Sequence, residues 1–371
     1  MLLEIIAISA GLTFAVTACN CFFWPKVRQT KQSLQNKVSV LIPARNEEAN
    51  LPSCLESVLA QGAIVSEILV YDDHSSDRTA QIIDDFAAQH PQVKRVSALP
   101  LPPGWCGKNY ACMQLAKKAS GDWLLFLDAD ARLYPNAVNR MVAEALARQV
   151  SFLSCWPKFE MQGRVEKTLM PMLNFVVFSL FPTPLTLLRQ PQFQGNSALG
   201  LGHGACLLFE RSSYNSFGGH ERVKDQIFED TRISQLWRAS GRAGLCLDGQ
   251  EIVWLRMYSS LREIWAGFQK NFYPAFTLKF NFWLFLALHF LVFLCPFFIV
   301  AISESQLALV GVTFILLSRL FLIVRFHHSP LSLFLHPLGE LVLICLGLSS
   351  WWKYKTGKGV AWKGREYPRS A

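Results

Sequence analysis

The sequence predicts an α/β domain held between membrane-spanning helices. Apolar strand-like runs alternate with helices of about a dozen residues through the middle of the chain, which is typical of a mostly parallel sheet covered by helices. Long apolar stretches lie at both ends, and 51% of the 371 residues are hydrophobic while only 17% are charged. We therefore expect one aqueous domain of good size with additional elements in a membrane.

A membrane anchor is expected at the N-terminus, over residues 1–25. Leu2–Trp24 is apolar over about the 20 residues that a helix needs to cross a bilayer. By the positive-inside rule, the basic residues that follow place the next part of the chain in the cytoplasm: Lys26, Arg28, Lys31 and Lys37. Met1–Glu4 carries no basic side chain, which argues against a cleaved signal peptide, although the small residues of Val16–Cys19 keep a lipoprotein cleavage site open as an alternative.

Charged residues follow the predicted strands of the aqueous domain, residues 37–275. The first strands are Val38–Pro43, Glu67–Tyr71, Val93–Ser97 and Trp123–Leu127, and a helix is expected over Gly107–Ala119. Parallel strands present their carboxyl ends at one edge of a sheet, where open α/β folds bind ligands. We therefore expect the charged residues past the strand ends to converge there: Arg45, Glu47, Asp72, Asp128 and Asp130.

Two of these carboxylates, Asp128 and Asp130, are separated by one residue at the end of an apolar strand. Such a pair suits one hard cation, because Mg²⁺ typically takes one or two protein carboxylates and leaves its other sites to water and phosphate. The alternative is a strand that runs into an acidic turn, since such tripeptides are common in loops.

The rest of the domain continues the alternation of strands and helices. Expected elements are a helix over Pro135–Arg148, a strand over Val150–Cys155, a strand over Glu251–Arg256 and an amphipathic helix over Leu261–Phe272. Leu169–Leu188 is apolar but interrupted by three prolines, so we expect it to lie on the membrane interface. An ordinary buried helix and loop is the alternative.

The C-terminal membrane region is expected over residues 281–352. Trp283–Ile302 and Leu307–Val324 are predicted spans, joined by a short loop without lysine or arginine that is therefore external. The last apolar stretch, Leu333–Trp352, has polar and helix-breaking residues near its start. We interpret it as a re-entrant or interfacial element that leaves the basic tail, residues 353–371, in the cytoplasm; a third span would place the tail outside.

The net charge of +9 indicates a membrane surface more than a nucleic acid. Basic residues lie mainly beside the apolar segments and in the tail, which suits attraction to anionic lipids. They form no patch interleaved with aromatic residues in the predicted domain, which argues against a nucleic-acid binder. The ten cysteines lack paired metal spacing, so we expect reduced, mostly buried thiols.

Three motifs in order resemble family 2 glycosyltransferases with the GT-A fold. They are Val38–Glu48, Val70–Thr79 and the pair Asp128 and Asp130, and the resemblance covers about residues 37–275. It implies a nucleotide-diphospho-sugar transferase domain with a Rossmann-like mixed sheet between N- and C-terminal transmembrane helices. Gly104–Ala111, followed by Gly121–Trp123, resembles a membrane subgroup that includes carotenoid- and hopanoid-associated glycosyltransferases.

The resemblance also implies roles for the residues at the strand ends. Residues matching the nucleotide cradle are Pro43, Ala44, Arg45 and Glu47. Asp72 resembles the acid that reads the uracil edge, Asp130 the ligand of Mg²⁺ or Mn²⁺, and Asp128 a second metal ligand nearer the ribose or sugar. For Asp72 and Asp73, a helix-capping turn is the alternative.

Lys108 follows a glycine at a predicted helix start, where an ammonium and backbone N–H groups can meet a diphosphate. The alternative is an exposed helix cap. In the resemblance, the glycines of Gly200–Gly204 floor the acceptor site, because glycine allows the backbone to approach a ligand closely. His203 between them contacts the donor in one interpretation and is structural in the other.

The acidic pair Glu229 and Asp230 is the predicted catalytic element. In the family, an acidic pair after the acceptor glycines supplies the base, and Asp230 matches its second position. An acceptor hydroxyl must lose its proton as it attacks the anomeric carbon, which requires a base within hydrogen-bond reach. Capping of a helix N-terminus is the alternative role for the pair.

The sequence as a whole predicts an inverting transfer of a sugar from a nucleotide-diphosphate sugar to a lipophilic membrane acceptor. In the resemblance, Asp72 favours a uridine nucleotide as the donor. A synthase acting on a polyprenyl phosphate is the alternative enzyme, with Arg211, Arg222 or Arg256 to meet its charge. A membrane scaffold that binds nucleotide without turnover is the alternative of another class. The Gln-x-x-Arg-Trp signature of processive synthases is absent, which argues against chain elongation. No signal for an oligomeric state is present.

Overall fold

A computed structural model of the chain describes residues 1–30, 34–188, 195–276 and 278–357, together with two short strands, 360–362 and 365–367. Lys31 and residues 358–359, 363–364 and 368–371 of the predicted basic tail lie outside the described residues. The helices in chain order are α1 Leu2–Phe23, α2 Leu51–Leu59, α3 Thr79–Gln89, α4 Gly107–Lys118, α5 Ala137–Arg148, α6 Arg164–Leu169, α7 Pro171–Leu180, α8 Arg211–Phe217, α9 Glu229–Ala239, α10 Leu261–Asn271, α11 Lys279–Leu288, α12 Cys295–Ile302, α13 Gln306–Phe326, α14 Leu331–Phe334 and α15 His336–Thr356. The strands are β1 Val38–Ala44, β2 Val65–Asp72, β3 Val93–Val96, β4 Trp123–Leu127, β5 Ala131–Leu133, β6 Phe152–Trp156, β7 Lys158–Phe159, β8 Cys206–Glu210, β9 Gly244–Asp248, β10 Val253–Leu255, β11 Val360–Trp362 and β12 Arg365–Tyr367.

The chain divides into two compact units. The first comprises residues 1–24, 161–184 and 258–371, and the second comprises residues 25–160 and 185–257. The second unit, called the sheet unit below, contains every strand-end residue that the sequence singles out. The first, called the helical unit, contains the long apolar helices.

A seven-stranded mixed sheet, in the order β3-β2-β1-β4-β8-β6-β9, forms the centre of the sheet unit. Strands β3, β2, β1 and β4 are parallel, as the alternation of strands and helices predicts. Strand β8 runs antiparallel to both β4 and β6, which makes the sheet mixed. All five residues of β4 are buried, because the strand is covered on both faces, and this explains its unbroken apolar run.

Aromatic and aliphatic side chains fill one face of this sheet. Helix α4 packs there through Ala111 and Leu115, against Phe126 of β4. Further along the same face, Phe209 stacks on Phe152 with ring centroids 4.4 Å apart, and Trp237 of α9 packs against both rings. This core fixes the first turns of α4 and α9 relative to the ends of the central strands.

The strand ends lie side by side, as predicted. Ala44 at the end of β1 is paired with Asp72 at the end of β2, and Leu41 is paired with Phe126 of β4. Because β2, β1 and β4 are adjacent and parallel, their carboxyl ends form one edge of the sheet. This edge carries the candidate site.

Three helices among the described residues are long and apolar enough to cross a membrane: Leu2–Phe23, Lys279–Ile302 and Gln306–Phe326. They agree with the three predicted spans to within a few residues. Within the second of them, a wide π-helical segment, His289–Leu294, precedes Pro296. Proline has no N–H and clashes with the carbonyl four residues earlier, which accounts for the irregular turn.

Polar contacts connect the elements of the helical unit. The side-chain amide of Asn20 donates to the carbonyls of Phe178 and Phe181. His289 Nδ1 lies 2.7 Å from Glu340 Oε2, and both side chains are fully buried. Residues 169–184 of the predicted interfacial segment belong to this unit, and Pro171–Leu180 forms a regular helix. Pro171 is compatible with this helix because it is the first residue, where its missing N–H costs nothing.

The last apolar stretch is more regular than its sequence suggests. The predicted irregular backbone in Leu333–Trp352 is confined to a break at Leu335, after which α15 continues unbroken for 21 residues. Such a helix is about 31 Å long. It contains buried His336 and Glu340, and it is not one of the three helices that are apolar enough to cross a membrane. Its re-entrant or interfacial position stays a prediction.

Candidate active site

The loops after β1 and β2 are bound to each other. The Asn46 N–H donates to Ser75 Oγ at 2.9 Å, and the Ser76 N–H donates to Asn46 Oδ1 at 2.8 Å. Half-buried Arg45 donates from Nη1 to the Asp73 carbonyl. Pro43 and Ala44 end strand β1, and Arg45 and Glu47 lie on the double loop that follows it at the edge of the sheet.

Asp72 is buried and already has two partners. Its Oδ1 accepts the Ser75 N–H at 3.1 Å, which closes a turn, and its Oδ2 lies 3.2 Å from Arg95 Nη2. The carboxylate that accepts the first N–H of α3 is that of Asp77, so Asp72 stabilises the turn before the helix rather than capping it. Arg95, which orients the carboxylate, belongs to no motif in the sequence that predicts this contact.

Asp128 and Asp130 follow β4 in a tight turn and are both half-buried. The Ala131 N–H donates to the Asp128 carbonyl at 2.9 Å. The Asp128 N–H donates to the carbonyl of Ala205, the residue just before β8. The pair therefore lies in an acidic turn, as the alternative interpretation holds, and that turn is at the edge formed by the carboxyl ends of the parallel strands. The two interpretations are compatible.

Lys108 connects this turn to the second acidic pair. Its Nζ lies 2.7 Å from Asp128 Oδ1 and 2.8 Å from Glu229 Oε1, and its side chain is only 24% exposed. Burial alone would lower the pKa of Lys108, but the two carboxylates outweigh burial and hold this pKa well above its ordinary value. Lys108 is therefore a charged group inside the site and not an exposed cap.

Asp230 lies in the first turn of α9, with its carboxylate fixed by two backbone groups. Oδ2 accepts the Gly204 N–H at 2.7 Å and Oδ1 accepts the Thr231 N–H at 2.6 Å. Burial, reinforced by the charge of Glu229, raises the pKa of Asp230 to about 7. For Glu229, burial would raise the pKa, but Lys108 outweighs it and lowers the pKa below its usual range. The two neighbours are thus set up for different roles.

The glycines before β8 allow a close approach to helix α9. A Cβ on Gly200 would lie 2.5 Å from the Cα of Gln235, which a real side chain cannot do. A Cβ on Gly204 would lie 3.2 Å from Asp230 Oδ2 and 3.3 Å from Lys108 Nζ. The sequence suggested an approach to a ligand, whereas the structure has these glycines packed against the helix that carries Asp230.

His203 lies between aromatic rings, 5.2 Å from Trp156 and 5.6 Å from Phe159 between ring centroids. Its Nδ1 accepts the Ala205 N–H at 3.3 Å. Burial, with a smaller effect of Lys108, lowers the pKa of His203 to about 3, so the ring is neutral. These contacts favour the structural interpretation of His203.

One further residue of the site has no motif of its own. Asn109, beside Lys108, is buried and donates to the carbonyls of Val223 and Gln226 at 2.6 and 2.8 Å. Its contacts join segments far apart in the chain, so only its position next to a predicted site lysine was available as a signal.

Comparison with known proteins places this geometry in context. Residues 39–218 match the family model described as Glycosyl transferase family 2. The 4,4'-diaponeurosporenoate glycosyltransferase of Staphylococcus haemolyticus is 30% identical over 225 residues, which are 60% of this chain and 57% of that protein. The enzyme of the same name from Staphylococcus aureus (strain USA300) is 26% identical over an alignment of 390 positions, which covers 97% of this chain and 98% of that protein.

Among solved structures, a mannosyltransferase from Pyrobaculum calidifontis in complex with GDP-mannose and Mn²⁺ has a TM-score of 0.57. The similarity covers 95% of this chain and 99% of that one at 14% sequence identity. At this identity the likeness concerns the fold alone, and it confirms the predicted GT-A class.

Proposed function

Because the chain belongs to glycosyl transferase family 2, we propose that it moves a sugar from a nucleotide-diphosphate sugar to a hydroxyl of a lipophilic membrane acceptor, with inversion at the anomeric carbon. The observation that carries this proposal is the contact of one ammonium, Lys108, with both Asp128 and Glu229. This contact brings Asp128, an acid on the proposed donor side, close to the start of α9, which carries Asp230, the proposed base for the acceptor hydroxyl.

In the proposed reaction, the acceptor hydroxyl attacks the anomeric carbon from the side opposite the diphosphate. A bond forms between the acceptor oxygen and that carbon, the bond to the diphosphate oxygen breaks, and the hydroxyl proton passes to Asp230. Lys108 offsets the negative charge that develops on the departing nucleotide diphosphate. Glu229 holds Lys108 in place, and the Gly204 and Thr231 N–H groups orient the base.

The donor side of the site fits a divalent cation. The described residues contain no group of three or more histidine, cysteine or acidic side chains able to hold a metal. Two half-buried carboxylates, Asp128 and Asp130, suit Mg²⁺ or Mn²⁺, which fill their remaining positions with phosphate and water. When bound there, the ion would neutralise charge on the diphosphate.

The cation assignment predicts that Asp130→Ala abolishes the effect of Mn²⁺ on nucleotide binding. Calorimetry with UDP should show tighter binding with Mn²⁺ than without it in the unsubstituted protein, and equal, weak binding in the variant. Asp85→Ala, an exposed acid on α3, is the matched control and should behave as the unsubstituted protein. Unchanged Mn²⁺ dependence in Asp130→Ala would remove Asp130 from the metal site.

A pH dependence follows from the environment of Asp230. With a pKa of about 7, raised by burial, Asp230 is protonated in acid and then cannot accept the acceptor proton. We expect kcat to fall about tenfold for each pH unit below roughly 7 and to level off above it. Transfer rates from pH 5 to 9 measure this limb, and a rate that is flat down to pH 5 would contradict Asp230 as the base.

The proposed acceptor is a hydroxyl-bearing lipid such as a carotenoid, hopanoid or glycolipid. The names of the staphylococcal relatives support a carotenoid, and the long apolar helices of this chain support an acceptor that resides in the membrane. The compound in those names is a carboxylate, so the proposed hydroxyl rests on the position of Asp230 and not on the names. The proposed setting is the cell membrane, with the sheet unit facing the cytoplasm. The proposed donor base is uracil, read by Asp72.

The proposal is tested by incubating the detergent-solubilised protein with Mn²⁺, a panel of radiolabelled nucleotide sugars and total lipid extract. Label from a UDP-sugar should enter the organic phase in an acid-stable linkage. Acid-labile label would instead indicate a polyprenyl phosphate acceptor. Folded protein that neither transfers sugar nor releases nucleotide with any donor would favour a binding scaffold.

A further inference from the structure

The first turn of α4 contacts the segment before the acidic pair at three points. Asn109 Nδ2 donates to the Val223 and Gln226 carbonyls, at 2.6 and 2.8 Å. The Cys106 N–H, at the N-cap of α4, donates to the Lys224 carbonyl at 2.6 Å. From the same turn, Lys108 reaches Glu229 at the start of α9. Through these contacts, residues 106–109 hold the segment before α9 and the first residue of α9 in place.

Asn109 is an unusual choice for simple packing. The side chain is 1% exposed, and its Oδ1 is buried with no hydrogen-bond partner among the described residues. Leaving a buried acceptor unpaired is unfavourable, so buried polar atoms of this kind require an explanation. The explanation is that both N–H donors of Nδ2 bind carbonyls, which no apolar side chain could do.

We propose that Asn109 is a positioning residue for the proposed transfer reaction. By holding the segment 223–226, it sets the distance of Glu229 from Lys108 and the place of Asp230 at the Gly204 N–H. It acts through these groups and touches no reacting atom. The inference rests on the proposed function for its catalytic consequence, while the positional claim stands on the contacts themselves.

The test uses two variants of the full chain. Asn109→Asp keeps the shape but replaces Nδ2, which donates both hydrogen bonds, with a carboxylate oxygen that faces the carbonyls, and Asn109→Ala removes the contacts without adding charge. We expect kcat to fall about 10²-fold in both, because a small misplacement of a reacting group has effects of that size, while donor KM changes by less than about twofold. Asn215→Asp makes the same chemical change at an exposed position of α8 and should retain full activity.

Hydrogen exchange gives a readout that does not depend on turnover. In both Asn109 variants, amides of residues 223–232 and of Gly204 should exchange faster, while β1 and β2 exchange as before. Unchanged exchange at 223–232, or faster exchange with unchanged kcat, would overturn the proposal. If the unsubstituted protein transfers no sugar, the proposed function fails, and the exchange result alone decides the positional claim.

Discussion

Asp230→Asn is expected to lower the rate of sugar transfer about 10³-fold while nucleotide binding stays within about twofold of its original strength. An amide cannot take up the hydroxyl proton, and general-base catalysis contributes about 10²–10⁴-fold. The substitution preserves shape, and its remaining oxygen still accepts one of the two N–H groups, of Gly204 or Thr231, that hold the carboxylate. Transfer kinetics and UDP calorimetry on the same preparation measure the two quantities.

Asp225→Asn is the matched control for this prediction. Asp225 is exposed in the segment leading to α9, so the same chemical change there should leave both transfer and UDP binding intact. If Asp230→Asn abolished UDP binding together with transfer, Asp230 would belong to the donor site and the base assignment would be wrong. Transfer within tenfold of the original rate would equally exclude it.

Lys108→Met is expected to lower transfer about 10²-fold and to lower the melting temperature by about 5 °C. The variant loses the ammonium that offsets diphosphate charge, and removal of an oxyanion-stabilising donor commonly costs about 10²–10³-fold. It also leaves Asp128 and Glu229 without their shared partner, at a cost of about 2 kcal/mol for a partly exposed pair. Thermal unfolding and transfer kinetics are the measurements.

A double variant separates these two effects of Lys108. Lys108→Met combined with Glu229→Gln removes the buried unpaired charge, so the melting temperature should recover most of the loss while transfer stays low. Lys117→Met, on an exposed position of the same helix, should change neither quantity. Recovery of transfer together with stability would mean that Lys108 is structural.

Local patterns in the chain were enough to predict the edge of the sheet. The apolar run of β4 directly precedes Asp128, and Asp72 is the last residue of β2, so a parallel sheet brings them together. The same holds for the apolar helices, where length and hydropathy suffice. The exception is α15, whose buried Glu340 is stabilised by His289 from another helix, a pairing that no local pattern reveals.

The contacts that complete the site join residues far apart in the chain. The sequence predicts that Lys108 meets a donor diphosphate, but its contact with Glu229 depends on α4 and α9 packing over one face of the sheet. Gly200 and Gly204 were assigned to a ligand because glycine indicates a close approach without naming what approaches. Asn109 carries no motif, and its role follows only from the carbonyls that its amide meets.

The central claim is a single displacement with Asp230 as the base, and the configuration of the product tests it most directly. Transfer from an α-linked UDP-sugar, followed by NMR of the purified glycolipid, should give a β-linkage at the anomeric carbon. An α-linked product would require two displacements or a front-side path, and it would contradict the role of Asp230 and the mechanism built on it.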